Sequence, residues 1–366
     1  MYLYQQPTWP HFTWQPAQLE AQLGAVRHQQ GRVLGHMQAL GFSAQAEATW
    51  HTLTLDVLKS SEIEGEVLPP EQVRSSLARR LGLPEAGLAP AERRVEGVVE
   101  MLLDATQGFA APLTAERLFG WQAALFPTGR SGLQRIAVGQ WRTGARGPMQ
   151  VVSGPVGRER VHFEAPEASQ VPAEMAAFLA WVNAPDAGLD PVLRAGVAHL
   201  WFVTIHPFED GNGRLARALT DLLLARADAT AQRFYSLSAQ LRLERPAYYA
   251  HLEAAQKGPL DITGWLAWFL GCLGRALAAT EHTLAQVLAK ARFWERHAAL
   301  PLNARQQRLL NQLLDGFVGK LTSSKWAAIA KCSPDTALRD IQALLDHGLL
   351  VREAAGGRST SYRLAG

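Results

Sequence analysis

The sequence predicts a mainly α-helical protein, with one β-hairpin in its middle and a small helical module with a second hairpin at its end. Three observations predict this. Ala, Leu, Gln, Glu and Arg recur along the 366 residues, while β-branched runs are scarce. In the middle of the chain, paired glycines and β-formers come together only in "MQVVSGPVGRERVHFEAP" at 149–166. The last sixty-odd residues then change character, to short helices followed by a second glycine-centred β-pattern.

Taken in order, residues 1–14 read as irregular and aromatic, and 15–40 as one amphipathic helix. A second helix is expected over 43–66, with Ser43 as its N-cap and Gly65 as its stop. A third follows over 69–82, and "LPEAGLAPA" reads as a boundary loop. The helical pattern then runs from Glu92 to about Ala279, interrupted by the 149–166 hairpin. Toward the end, "NARQQRLLNQLLDG", "TSSKWAAIAKC" and "SPDTALRDIQALLDHGLL" are three helices, the last capped by Ser333 with Pro334 at its first position. "LVREAAGGRSTSYRL" closes the chain as a hairpin turning at Gly356-Gly357. Helices followed by a hairpin in this order describe a winged-helix module. The expected domains are 1–91, 92–285 and 286–366.

Composition excludes several classes. With 48% hydrophobic and 19% charged residues, the chain is an ordinary globular one, long enough for two or three cores. Two cysteines make no disulfide framework and there is no CxxC, which fits a reducing cytoplasm. No signal peptide is read in "MYLYQQPTWPHFTW", and the longest apolar stretch, about 11 residues, is short of the roughly 20 a spanning helix needs, so no membrane role is expected. The net charge of +3 says little about partners.

The chemistry concentrates in "HPFEDGNGRLARAL", which begins at His206 directly after the apolar run "AGVAHLWFVTI". Gly211-Asn212-Gly213 lets consecutive backbone N–H groups turn inward, and the helix that starts there carries partial positive charge at its N-terminus. Arg214 and Arg217, three apart, share a helix face. Together these make an anion site with room for more than one phosphate. Asp210, an acid among positive elements, suits a hard divalent ion such as Mg²⁺ bridging phosphates. His206 suits a general base. There is no GxxxxGK[ST] and no HExxH, and metal ligation by His199 and His206 lacks a third ligand nearby.

"HPFEDGNGRLAR" resembles the Fic family motif, H-x-F-x-[D/E]-G-N-G-R-x-x-R, at every defined position. The resemblance implies a Fic helical core over about 92–280 with a β-hairpin flap, an amino-terminal helical extension and a carboxy-terminal winged helix. It also implies AMP transfer from ATP, with Mg²⁺, to a Tyr, Ser or Thr hydroxyl of a target protein and of the chain itself. On that reading His206 deprotonates the hydroxyl and Asp210 holds the ion. Gly211, Asn212 and Gly213 cradle the α- and β-phosphates, Arg214 and Arg217 meet the β- and γ-phosphates, and Phe208 anchors the loop in the core. Val151, Val152, Ser153 and Gly154 on the flap lie beside the nucleotide, and Tyr248, Tyr249 and Gln256 line the adenine pocket. The competing readings, an ordinary surface hairpin and an aromatic pair packed in a helix core, remain open here. A homodimer is also implied.

"KSSEIEGE" at 59–66 places Glu62 and Glu64 at a helix end, where negative charge is unfavourable with the dipole. Ser60, Glu64 and Gly65 resemble the family's inhibitory motif, [S/T]-x-x-x-E-[G/N], placed upstream of the core. The resemblance implies that Glu64 pairs with Arg217 and takes the space of the γ-phosphate, or orients a water that removes AMP from a modified target.

From Leu300 onward nine basic residues face five acidic ones, a modest excess. The presumed recognition helix, 333–347, carries Arg339 against Asp335, Asp340 and Asp346, a poor fit for a phosphate-lined groove. A protein-interaction or packing role is favoured for this module over DNA binding. The alternative for the whole chain is a DNA-binding regulator with a nucleotide-sensing core.

Overall fold

The structure, a computed structural model, describes residues 1–83, 90–154, 157–158, 160–185, 188–314, 317, 319–353 and 360–365. The chain divides into two compact units, Met1–Thr280 and Glu281–Gly366.

The first unit is helical. α1 (Pro16–Gln38), α2 (Phe42–Ile63) and α3 (Pro70–Leu81) precede α4 (Arg93–Gln107) and α5 (Ala115–Leu125). Two short antiparallel pairs follow, β1 (Arg130–Ser131) with β2 (Gln134–Arg135) and β3 (Gln150–Ser153) with β4 (Arg160–Glu164). Then come α6 (Val171–Asn183), α7 (Pro191–Ile205), α8 (Asn212–Asp228), α9 (Leu237–Leu243) and α10 (Arg245–Gln256). α11 (Thr263–Arg296) carries the chain on.

The hairpin expected over 149–166 is the β3–β4 pair, with a register shift between Val151 and Val152. Its neighbour β1–β2 was not read from the sequence, because strands of two residues leave no alternation to detect. Ser43 is not the cap of α2: the helix starts at Phe42 and Gly41 is its N-cap. Its stop is as expected, with Gly65 at φ +84 just beyond the helix end. The boundary loop read at 83–91 lies largely outside the described residues, as does the Gly356-Gly357 turn.

The core explains the apolar run before His206. Every residue of α7 from Val192 to Ile205 is buried, because α8 and its other neighbours enclose the helix all round. α8 is nearly as buried, from Leu215 to Ala225. The aromatic amino terminus packs here too: Trp9 and Phe12 meet Trp201 edge-on at 6.1 and 5.7 Å between ring centroids. Near α8, Arg233 is fully buried between Asp221 and Asp228, at 3.2 Å from each.

The second unit holds α12 (Ala304–Leu314), α13 (Ser323–Ala330), α14 (Pro334–Asp346) and the antiparallel pair β5 (Leu350–Arg352) and β6 (Tyr362–Leu364). Its core is Leu309, Leu310, Trp326, Ile341, Leu344 and Leu350. Ser333 caps α14 as expected, its Oγ accepting from Thr336 N–H at 3.2 Å. One premise about this helix changes. Asp340 is buried, and accepts from Arg305 Nε at 2.8 Å and Asn303 Nδ2 at 3.1 Å. It therefore serves packing within the unit, and the outward face of α14 is less acidic than its sequence suggests.

Candidate functional site

The loop from His206 to Gly211 turns the chain from the end of α7 into the start of α8. His206 ends α7 in the left-handed region, at φ +51, where few non-glycine residues sit. Gly211, at φ +90, is the N-cap of α8, a conformation that favours glycine. Asn212 pins the turn: Phe208 N–H donates to its Oδ1 at 3.0 Å, and its Nδ2 donates to Phe208 O at 2.8 Å. Phe208 is fully buried beside Trp141, as expected of an anchor. Arg142 staples the other side, with its Nε donating to His206 O and its N–H to Pro207 O, each at 2.8 Å.

His206 Nδ1 lies 3.3 Å from Val203 O. A carbonyl only accepts, so this contact places the proton on Nδ1 and leaves Nε2 as a lone pair. Burial pulls the His206 pKa down to about 4, against the Val203 carbonyl and the charges of Glu64 and Asp210, with Arg142 adding to the fall. The imidazole is neutral at pH 7, the state a general base needs.

The positive end of α8 is met by the negative end of α2. Arg217 Nε donates to Ser60 Oγ, and its Nη2 to Ser60 O, both at 2.9 Å. The same Nη2 donates to Glu64 Oε1 at 2.7 Å. Arg214 Nη1 reaches Glu66 Oε2 at 2.7 Å, and Arg245 Nε donates to Ile63 O at 2.7 Å. Arginines thus satisfy the last carbonyls of α2, and two carboxylates supply the anionic charge that α8 attracts. Glu64 Oε1 sits so close over Gly213 that a Cβ there would collide with it. Burial opposes the charge on Arg217, yet Glu64, followed by Tyr248, outweighs it and the pKa rises. Glu64 thus meets Arg217 as expected, and Ser60 joins them.

Asp210 accepts from Gly211 N–H at 2.6 Å and from the hydroxyl of Ser131 on β1. A carboxylate has about four lone-pair sites, so acceptor capacity remains. Among the described residues, no three His, Cys, Asp or Glu come together to hold a metal. One carboxylate plus phosphate oxygens is nevertheless a fitting set for Mg²⁺, which takes few protein ligands. His199 does not join His206 at any ion. It is buried, with Nδ1 at 2.8 Å from Thr220 Oγ1 and Nε2 at 2.8 Å from Tyr248 Oη, and burial holds its pKa at about 3.

Some expected roles change. The Asn212 side chain is spent on Phe208, so only its backbone N–H remains for an anion. Tyr248 is 2% exposed and stacked on Trp268 at 5.9 Å, with its hydroxyl on His199, so it packs the core and offers no open wall. Tyr249 is half-buried beside it, under Arg245. Gln256 is buried, and its Nε2 lies 3.4 Å from the Val203 carbonyl that His206 also contacts. On β3, Val151 is half-buried and Val152 is exposed, Gly154 follows at φ +106, and the Ser153 hydroxyl is taken by His162.

Sequence reasoning missed Glu66, Arg142 and Ser131. Glu66 had a signal, the third acid of "EIEGE". Arg142 and Ser131 had none, since each acts through a fold-dependent contact with a loop more than sixty residues away.

A neutral base beside a helix N-terminus, two buried arginines and one carboxylate lie together, an arrangement whose chemistry suits a phosphate-bearing ligand. Residues 112–224 match the Fic/DOC family model, and residues 2–83 match a domain of unknown function (DUF4172). A protein adenylyltransferase Fic of Culex quinquefasciatus is 38% identical over 104 residues, 28% of this chain and 19% of that protein. The protein adenylyltransferase fic-1 of Caenorhabditis elegans is 40% identical over 81 residues, 22% of this chain and 15% of that protein. The chain thus spans about a fifth or less of these curated relatives. The crystal structure of a Fic family protein from Desulfovibrio desulfuricans G20 superposes with a TM-score of 0.55 at 21% identity, over 98% of both chains. Fic-1 (aa134–508) from C. elegans superposes at 0.51 with 22% identity, over 75% of each. Residues 112–224 thus carry a Fic/DOC domain, and the mainly helical fold of the chain is that of its Fic neighbours.

Proposed function

We propose that this chain transfers AMP from ATP to a hydroxyl side chain of a protein, itself included, and that Glu64 holds the reaction back. The observation that carries the reading is the neutral imidazole of His206, its Nε2 lone pair free, beside the N-terminus of α8. In the reaction, the hydroxyl oxygen forms a bond to the α-phosphorus while its proton passes to His206 Nε2. The bond from the α-phosphorus to the bridging oxygen breaks, and pyrophosphate leaves. The backbone N–H groups of Gly211–Gly213 and the guanidinium groups of Arg214 and Arg217 hold the charge, so positioning and neutralisation supply most of the catalysis. Asp210 would hold Mg²⁺, which when bound would supply further neutralisation of phosphate charge.

Glu64 and Glu66 restrain this chemistry, because they occupy the two arginines that the phosphates need. The test is incubation with α-labelled ATP and Mg²⁺, alone and with host lysate. Label on protein supports the reading, and chase with unlabelled ATP detects AMP removal through Glu64. Protein that stays unlabelled with both Glu64 and Glu66 neutralised overturns it. The less acidic outer face of α14 keeps the DNA-binding alternative in view, and salt-sensitive binding of duplex DNA by the full chain would favour it.

A further inference from the structure

His206 holds a backbone conformation it does not prefer. At φ +51 it is one of three non-glycine residues with positive φ among the described residues. A side chain stays in that region only where its surroundings over-determine it. Two of its own contacts help: its N–H donates to Phe202 O at 3.0 Å, and its Nδ1 lies 3.3 Å from Val203 O. The remaining hold comes from Trp141 and Arg142, in the chain between β2 and β3. Trp141 packs on Phe208, with ring centroids 5.2 Å apart. Arg142 is 5% exposed; its N–H donates to Pro207 O and its Nε to His206 O, each at 2.8 Å. Its Nη2 donates to Ile205 O at 3.4 Å and also to Pro166 O, two residues beyond the end of β4. Three consecutive carbonyls, those of Ile205, His206 and Pro207, thus end on one residue. The first two close α7, where a helix leaves its carbonyls without partners and favours a cation. Among the described residues, every hydrogen-bond acceptor of this guanidinium is a main-chain carbonyl, so its charge is not spent on a carboxylate. That charge adds to the fall in the His206 pKa.

We propose that Arg142 is a positioning residue for the base: it fixes the His206 backbone in its left-handed turn, sets where Nε2 points, and ties that backbone to the end of the β3–β4 hairpin. The proposal rests on the AMP-transfer reading given above. Arg142 acts through the backbone of His206 and not on the reacting atoms, and the hydroxyl proton still passes to His206 Nε2. Its charge works against protonation of the ring before the hydroxyl arrives, so the lone pair is kept for the reaction.

Two variants separate position from charge, each made in the full chain carrying Glu64→Gly. Arg142→Lys keeps the charge but replaces a rigid fork of donors with one ammonium, which cannot serve carbonyls on both sides of the turn in the same way. It is expected to lower the self-labelling rate at saturating ATP about 10- to 100-fold, the cost of a misplaced reacting group, with calorimetric ATP affinity little changed. Arg142→Met is expected to lower the rate likewise. It should also move the His206 titration to higher pH, because the imidazolium then loses a neighbouring cation. The titration is read by NMR of the chain with isotopically labelled histidine, a measurement that needs no turnover. An arginine that only stabilises the fold would lower the denaturation midpoint, yet leave the rate per folded molecule and the His206 signals as they were, and that result overturns the proposal. A fall in ATP affinity as large as the fall in rate also overturns it, because the arginine then serves the nucleotide. If Arg142→Met does not fold, the rate and the histidine signals of Arg142→Lys decide. A parent chain that labels nothing refutes the transfer reading, and the His206 signals of the variants then still state whether Arg142 governs that ring.

Discussion

Replacing Glu64 with glycine is expected to raise AMP transfer, and the structure sets the size. Glu64 Oε1 receives Arg217 Nη2 at 2.7 Å, with Arg217 side chain 2% and Glu64 side chain 33% exposed. A hydrogen bond to a charged group nets about 1.5–3 kcal/mol, and partial exposure of the carboxylate favours the lower half. A phosphate must displace this bond before it reaches Arg217. At about 1.4 kcal/mol per tenfold, its removal raises the initial rate of self-labelling at subsaturating ATP about 10- to 40-fold. Arg217 keeps Ser60 Oγ and Ser60 O as partners, so the variant loses only about 1–2 kcal/mol of stability, which a urea titration measures. Glu62→Gly is the control. Glu62 is paired instead with Lys59 at 2.7 Å and with Arg242 at 3.3 Å. The assay is autoradiography of the chain with α-labelled ATP over minutes. Equal rates in Glu64→Gly and wild type, or equal gains in both variants, refute the reasoning.

His206→Ala is expected to lower transfer about 10²–10⁴-fold while calorimetric ATP affinity stays close to wild type, because the imidazole acts on the hydroxyl. Since burial holds the His206 pKa near 4, protonation removes the base only as pH falls through that value. The acid limb of kcat/KM therefore lies well below the ordinary histidine value of 6.5, and a limb at 6.5 would contradict the assigned environment. Asp210→Ala should weaken Mg²⁺-dependent nucleotide binding and transfer together, and unchanged Mg²⁺·ATP affinity in titration calorimetry would place the ion elsewhere. Asn212→Ala leaves both backbone groups of buried Phe208 without their partner and should cost about 2–4 kcal/mol in chemical denaturation, with a loss under about 1 kcal/mol counting against the pinning role.

The parts of this site that the sequence carried are those whose chemistry is local. His206, Asp210, two glycines and two arginines within twelve residues predict a helix-terminal anion site, and all of them lie at the α7–α8 turn or in the first turns of α8. Ser60 and Glu64 are local too, one helical turn apart, and a resemblance named Arg217 as the partner of Glu64. What stayed hidden depends on packing. Asn212 looked like a phosphate ligand because an amide offers two donors, but burial commits both ends of it to Phe208. Tyr248 carries a polar tip that reads as a pocket residue, until His199 and Trp268 are brought against it. Ser43 has the chemistry of a cap but not the place, because α2 begins one residue earlier. Asp340 shows the same limit in the second unit: its charge is plain in the sequence, and its inward direction is not.

The end of α2 belongs to the same compact unit as the turn it covers. Its carboxylates are thus tethered competitors, present at an effective molarity set by the fold and not by how much protein a cell holds. Dilution cannot release them. Only a rise in the concentration of the rival anion, or a force that lifts the last turn of α2, shifts the balance. Occupancy of Arg217 then follows nucleotide supply through a ratio of two affinities, and the same ratio sets how firmly the end of α2 stays folded.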